Sequence, residues 1–355
     1  MPMLVPLRWT TVAVAAAVAV FVMAASAAAG SGFTVTPLVS DNGVPGTKHD
    51  DNLRNSWGLT AGAAGPWWVA DNHAGVSTLY TGDGTKLGLT VAVGDDPTGV
   101  VANSTTGFDL KGGNNAASAF VFDSEAGVIH AWNGSLGTTA EVEIDASRHD
   151  AVFKGLAISQ TSAGPRLYAT DFHNRRVDVF DGNWQQVNRP FQFFDPTIPR
   201  NYGPLGIQAI GGNVFVTYAK TQPGSDDEAH GPGLGFVDSF NAATGILDGK
   251  VAVRGTLNAP FGLAMAPAGF GSFGGDLLVG NFGDGRIHAY KPLLGGVVYR
   301  PDGELENAAG SPISIDELWS LQFGNNSAAG PAGTLFFTSG PNDESDGLFG
   351  SITFG

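Results

Sequence analysis

One pattern recurs six times along the chain, and this repeat limits the possible fold more than any other feature. Each copy opens with a short motif, usually containing Gly. A Gly-rich gap and an apolar run follow, then a turn and a second apolar run. The opening motifs are Trp57-Gly58-Leu59, Thr98-Gly99-Val100, Lys154-Gly155-Leu156, Leu205-Gly206-Ile207, Phe261-Gly262-Leu263 and Leu318-Trp319-Ser320-Leu321. Copies about 40 to 58 residues apart match four-stranded β units rather than helical repeats.

The apolar runs predict strands that close into a ring. They are short, rich in Val, Leu, Phe and Tyr, and bounded by Gly, Asp or Asn, which is typical of buried strands. A fourth, outer strand is predicted in the first five copies, at residues 87–93, 140–144, 190–194, 246–253 and 296–299. The sixth copy has no room for one, so residues 33–39 are expected to supply it. The sequence therefore predicts an all-β, six-bladed β-propeller closed by an N-terminal outer strand in the last blade, without exposed edges.

Residues 1–29 are typical of a signal peptide. Arg8 precedes a nearly continuous apolar run over residues 11–25, and residues 25–29 offer small-residue cleavage sites. A retained signal anchor is the alternative, because the apolar stretch is long enough to span a bilayer. We favour cleavage, which leaves a propeller domain over residues 30–355. That domain is expected to be secreted or periplasmic and not inserted in the membrane.

Composition excludes several classes of function. The chain contains no Cys, which excludes disulfides, thiolate metal sites and Cys nucleophiles, and which suits a bacterial exported protein. Its formal net charge is −15, so its surface repels phosphate backbones and nucleic acid is not an expected partner. We expect a monomer that binds a small molecule, a glycan or a protein at the mouth of the central channel.

Four segments carry a resemblance to known propellers: residues 51–59 (DNLRNSWGL), 168–174 (YATDFHN), 279–285 (VGNFGDG) and 321–325 (LQFGN). With the repeat, they resemble NHL-type six-bladed propellers and, more closely, a family of exported bacterial propellers, some of which carry a PEP-CTERM sorting tail. The resemblance implies the fold and export, and it implies no activity. No such tail follows Gly355, so sorting through it is not expected.

The histidines concentrate in loops of one face, which we call the upper face. It carries the loops between the second and third strands of each blade, and the loops between an outer strand and the next inner strand. Imidazole suits transition metals, whereas carboxylate and amide oxygens suit Ca²⁺. A cation on the channel axis, either Ca²⁺ or a His-bound transition metal, is therefore predicted from these ligands: His49, Asp51, Asp71, His73, Asp171, His173, Asn281 and Asp284.

A structural role competes with this metal hypothesis. Asp71, Asp123, Asp171 and Asn281 occupy equivalent strand ends, where such side chains commonly hydrogen-bond a turn.

A long loop is a separate candidate. It covers residues 220–233, interrupts the fourth copy and could serve as a binding element.

Three candidate functions follow from these patterns. The first is an extracytoplasmic ligand-binding or protein-interaction propeller, because no G-x-S-x-G, Walker or dinucleotide motif is present. The alternative is a metal-dependent hydrolase of the lactonase or gluconolactonase type, in which the ion would polarise a carbonyl. A redox propeller with a His-bound metal is a third possibility.

Overall fold

The repeats fold into six antiparallel sheets arranged as blades around a hub. In the computed structural model the described residues are 1–2, 31–112 and 115–355. The predicted signal peptide lies outside these residues except for Met1 and Pro2, and it stays a prediction. Among the described residues, no helix is both long and apolar enough to cross a membrane.

The strands of each blade are lettered a to d from the hub outward. Blade 1 consists of Ser56–Ala61, Trp67–Asp71, Val76–Tyr80 and Lys86–Ala92, and blade 2 of Pro97–Ala102, Phe120–Ser124, Val128–Trp132 and Glu141–Asp145. Blade 3 has Phe153–Thr161, Gly164–Asp171 and Arg176–Asp181, and blade 4 has Tyr202–Ile210, Asn213–Thr221, Gly235–Asn241 and Leu247–Val253, with Glu228–Ala229 beside strand b.

Blade 5 consists of Pro260–Met265, Leu277–Asn281, Ile287–Leu293 and Val298–Glu304. Blade 6 consists of Leu318–Phe323, Leu335–Ser339, Leu348–Phe354 and the N-terminal strand Phe33–Ser40, with Lys48–His49 parallel to that strand. Short 3-10 helices occupy Asn72–Ala74, Gly134–Leu136, Ser147–His149, Gly271–Phe273 and Leu294–Gly296. Strand a of each blade contacts strand a of the next, and blade 6 contacts blade 1, which confirms the predicted six-bladed ring.

The N-terminal strand closes the last blade as predicted. Phe33–Ser40 pairs antiparallel with Leu348–Phe354, in a register that runs from Phe33 opposite Phe354 to Ser40 opposite Leu348. Phe33 is 4% exposed, and its ring lies 5.0 Å from that of Phe270, centroid to centroid. Closure therefore adds both backbone pairing and a buried aromatic contact.

The prediction of an outer strand at residues 190–194 is wrong, because blade 3 has three strands and these residues form turns. The side chain of Asn188 replaces part of the missing strand: its Oδ1 accepts from the N–H of Val179 (3.0 Å), and its Nδ2 donates to the carbonyl of Val177 (2.8 Å). Pro190 has no N–H to donate, and Phe191 has a φ of 65° that interrupts extended backbone. The outer strand predicted at 296–299 begins at Val298, after the 3-10 helix Leu294–Gly296.

Glycines in the opening motifs let the inner strands approach closely at the hub. A Cβ on Gly58 would lie 2.4 Å from the carbonyl oxygen of Thr98, and one on Gly206 would lie 2.1 Å from that of Phe261. Real side chains do not tolerate such contacts, so the absence of a Cβ sets the spacing of the blades. This is the physical reason for the Gly that the repeat preserves.

We predict that Gly206→Ala destabilises the ring by roughly 3 kcal/mol, because the added methyl must push strand a of blade 4 away from blade 5. Gly88→Ala is the matched control, since a Cβ there meets nothing within 4 Å on an exposed outer strand. Urea unfolding of both variants measures the difference. Equal stabilities of the two variants would contradict the role assigned to Gly206.

We predict that Phe33→Ala lowers the free energy of unfolding by about 3 to 5 kcal/mol, because it removes the buried ring that anchors the closing strand. Thr34→Ala, at an exposed position of the same strand, should cost far less. Thermal or denaturant unfolding compares the two. A small loss for Phe33→Ala would mean that the strand contributes little to closure.

Candidate functional site at the hub

Six equivalent residues, one at the start of each inner strand, converge near the upper face. They are Trp57, Thr98, Lys154, Leu205, Phe261 and Trp319, and all are buried. Five of the six are uncharged. Lys154, only 2% exposed, places a charged group where the other blades place apolar or hydroxyl side chains.

Aromatic side chains fill the hub at this level. The rings of Trp57 and Trp319 are stacked, with centroids 3.6 Å apart and planes inclined by 12°. Phe282 lies 4.0 Å from Trp319, and Phe261 lies 5.0 Å from it, centroid to centroid. Phe172 and Leu205 belong to the same buried cluster. The polar groups above this cluster therefore lie against a buried apolar surface from which water is largely excluded.

A chain of hydrogen bonds crosses the top of this cluster through four blades. Trp319 Nε1 donates to Asn55 Oδ1 (2.9 Å), and Asn55 Nδ2 donates to Asn72 Oδ1 (3.3 Å). Asn72 Nδ2 donates to Glu125 Oε2 (3.1 Å), and Lys154 Nζ donates to Glu125 Oε1 (2.5 Å). We call these five residues the hub network. Because each member fixes the next, the network is preorganised.

Lys154 is held in its charged form. Burial alone would lower the pKa of its ammonium, but the carboxylates of Glu125 and Glu228 outweigh burial and raise that pKa above its ordinary value. The Nζ atom also lies 5.2 Å from the ring centroid of Trp57, within the range of a cation–π interaction. The hub therefore carries a permanent positive charge on Lys154.

Two further carboxylates face this charge from other blades. Glu228, in the long b–c loop of blade 4, is 3% exposed, and its carboxylate accepts no hydrogen bond from the described residues. Its Oε1 lies 3.9 Å from Nε2 of His230. Glu344, in the b–c loop of blade 6, accepts from Asn55 Nδ2 at its Oε2 (2.9 Å). The site thus combines residues from blades 1, 2, 3, 4 and 6.

The pKa values of two groups of this site are raised above their ordinary values. Burial, reinforced by the negative charge of Glu228, raises the pKa of Glu344 to about 7. The nearby carboxylate of Glu228, aided by the charges of Glu317 and Glu344, raises the pKa of His230 against the effect of its burial. Such perturbed groups cluster at functional sites more often than elsewhere.

A cleft of about 640 Å³ adjoins the hub between the b–c loops of blades 3 and 4. Phe172, a member of the hub cluster, forms part of its lining. The predicted site residue His173 lies in the same cleft, where its Nδ1 contacts Oδ1 of Asp226 at 2.6 Å. The long loop singled out in the sequence, residues 220–233, therefore lies beside the hub and supplies Glu228 to it.

The predicted metal ligands lie on the upper face, but they do not converge on one position. His49 Nε2 contacts Asp51 Oδ1 at 2.8 Å, and both side chains are exposed. His73 is exposed on the 3-10 helix Asn72–Ala74, and His173 pairs with Asp226. Among residues 31–112 and 115–355, no three or more His, Asp or Glu side chains are grouped so that they could hold a metal ion. The metal site stays a prediction.

The remaining predicted ligands have structural partners. Asp71 is buried and accepts from Thr78 (2.7 Å), and Asp171 accepts from the N–H and Nδ2 of Asn174 in its own turn. Asn281 Nδ2 donates to Asp284 Oδ1 (3.1 Å) and to the carbonyl of Thr256 (2.8 Å). The turn role weighed in the sequence analysis thus holds for Asp171 and Asn281.

Sequence reasoning did not select the residues that converge at the hub. Lys154 carried a usable signal, because it is the one charged residue among the six equivalent positions. Asn55, Asn72, Glu125 and Glu228 lie in loops of different lengths, and no spacing in the sequence marks them as neighbours.

Structural comparison supports the fold. A protein of unknown function from Bacteroides thetaiotaomicron superposes with a TM-score of 0.57, 10% identity and coverage of 92% of this chain and 76% of that chain. A putative gluconolactonase superposes with a TM-score of 0.41 and 19% identity over 67% of this chain and 84% of that chain, which is too distant to bear on activity. No family model matches the sequence.

Sequence comparison identifies relatives over most of the chain. Uncharacterized protein R648 of Acanthamoeba polyphaga mimivirus is 32% identical over 339 residues, covering 89% of this chain and 78% of the viral protein. Uncharacterized protein L690 of the same virus is 31% identical over 339 residues, covering 90% and 85%. These relatives are viral, so the bacterial origin, the export and the PEP-CTERM affinity of the chain stay predictions. The chain belongs to the family of these uncharacterized mimivirus proteins.

Proposed function

We propose that the chain is a ligand-binding propeller and that its site is the hub network on the upper face, with Glu228 and Glu344 opposite Lys154. The observation that carries this proposal is the buried charge of Lys154 at one of six equivalent strand positions, because the other five positions are uncharged. Glu125 neutralises part of it through a 2.5 Å ion pair.

The fold itself does not require this charge. Desolvating an ion pair costs free energy, and well-packed apolar residues often replace buried pairs with no loss of stability. Trp57, Leu205 and Phe261 show that the same position accepts apolar side chains in other blades. A charged residue retained at such a cost is better explained by recognition than by folding.

A small molecule suits this site better than a protein or a glycan chain. Lys154 and Glu228 are only 2% and 3% exposed, so the flat surface of a partner protein cannot reach them. The cleft beside Phe172 is about 640 Å³, within the usual range for small-molecule pockets, and it adjoins the hub. The predicted protein-interaction role is therefore the less favoured form of this proposal.

We expect Lys154→Met to change ligand-dependent stabilisation, because the substitution removes the positive charge of the hub and leaves Glu125 without its ion-pair partner. The measurement is a thermal-shift panel of amines, amino acids, sugars and carboxylates, together with Ca²⁺, Zn²⁺ and Cu²⁺, on the wild type and the variant. A compound bound at 100 times its Kd stabilises the folded state by about 2.7 kcal/mol, which is measurable as a shift in Tm.

Lys250→Met is the control for this panel, because Lys250 forms a comparable ion pair with Asp195 (2.8 Å) on the outer strand of blade 4. It should respond to the same compounds as the wild type. If every shift were the same size in Lys154→Met as in the wild type, the hub would not be the binding site. A shift produced by a metal alone would instead support the predicted cation site.

We expect Glu344→Gln to flatten the pH dependence of stability. The pKa of Glu344 is about 7 in the folded protein against an ordinary value of 4.5, so the folded state holds an extra proton between these values. The free energy of unfolding therefore falls as the pH rises through this window, by at most about 1.4 kcal/mol per pH unit. Glu344→Gln removes this component of the decline.

The measurement is urea unfolding of wild type and variant at several pH values from 4.5 to 8. Glu306→Gln, at an exposed position, is the control and should follow the wild-type profile. Parallel profiles for wild type and Glu344→Gln would contradict the environment described for Glu344.

A further inference from the structure

The charge balance at the hub indicates the class of ligand, and this inference rests on the function proposed above. We propose that the site binds a small organic cation bearing N–H donors, a primary ammonium or a guanidinium group, between Glu228 and Glu344.

The hub contains more negative than positive groups. Lys154 is committed to Glu125 by a direct ion pair of 2.5 Å. Glu228 and Glu344 interact with the charge of Lys154 only at longer range. The nearest positive group to Glu228 is His230, whose Nε2 is 3.9 Å away. A ligand with one positive charge would offset this excess of negative charge.

Glu228 provides an independent indication of a missing partner. Its side chain is only 3% exposed, and its carboxylate accepts no hydrogen bond from the described residues. His230 Nε2 lies 3.9 Å away, beyond hydrogen-bonding distance. Buried carboxylates are normally paired or hydrogen-bonded, because desolvation of an unpaired one is costly. Its charge acts on both Lys154 and Glu344, so it lies close to both. A ligand with N–H donors would satisfy it.

An organic cation fits these groups better than a metal ion. Ca²⁺ takes six to eight oxygen ligands, and among the described residues no group of three acidic or imidazole side chains is placed to hold a metal. The ammonium of Lys154 would also repel a divalent ion more than a monovalent one. A quaternary ammonium lacks N–H donors and could not hydrogen-bond to Glu228.

The experiment is isothermal titration calorimetry of the protein with methylguanidine and ethanolamine, using choline and CaCl₂ as comparison ligands at constant ionic strength. We expect methylguanidine or ethanolamine to bind the wild type, and Glu228→Gln to weaken that binding at least tenfold. The control Glu304→Gln changes a carboxylate that pairs with Arg286 on the outer strand of blade 5 (3.4 Å) and should bind as the wild type does.

Binding should also be tighter at pH 8 than at pH 6. Over this interval Glu344, which faces Glu228, Glu125, Lys154 and Asn55, gains negative charge. The pKa of His230, which faces Glu228, Glu317 and Glu344, is raised by these carboxylates, and any loss of its positive charge on raising the pH acts in the same direction. Tighter binding at pH 6 would overturn the proposal, as would equal binding of methylguanidine by the wild type and Glu228→Gln.

The panel and the titration separate the two proposals. If compounds that depend on Lys154 prove to be neutral or anionic, the organic-cation inference fails while the binding function stands. If choline or CaCl₂ binds and the N–H donors do not, the inference fails in the same way. If no shift depends on Lys154, the proposed function fails.

Discussion

Close contact between neighbouring inner strands is the constraint on which the rest of the molecule depends. At Gly58 and Gly206, the backbone of the next blade occupies the space that a side chain would need. This spacing brings six residues, one per blade, into one buried layer. Any side chain placed at that layer meets partners from across the ring, so a single substitution in one repeat changes the chemistry of the whole centre.

Lys154 shows the effect of this geometry. Its immediate partner Glu125 comes from blade 2, Glu228 from blade 4 and Glu344 from blade 6. The amides of Asn55 and Asn72 link Glu125 to Glu344 through blade 1. The aromatic floor formed by Trp57 and Trp319 excludes water and strengthens these interactions. Charge, hydrogen bonding and burial therefore act together at a place that no single blade could form.

The fold was largely predictable because its determinants are local and repeated. The opening motifs and the strand lengths follow from patterns within about 60 residues, and the displaced strand at Phe33 follows from the outer strand that the sixth copy lacks. The outer edge of blade 3 was not predictable, because there one side chain, Asn188, substitutes for a strand. The hub residues were not predictable either, since Glu125, Glu228 and Glu344 become neighbours only through ring closure.

The closing strand determines where the two ends of the ring lie. Gly32 and Gly355 exchange backbone hydrogen bonds of 3.0 and 3.1 Å, so the first and last residues of the ring are adjacent. Phe33–Ser40 runs towards the upper face and Leu348–Phe354 runs away from it, which puts this junction on the lower face. A support or reporter joined there would leave the binding mouth directed outward and unobstructed.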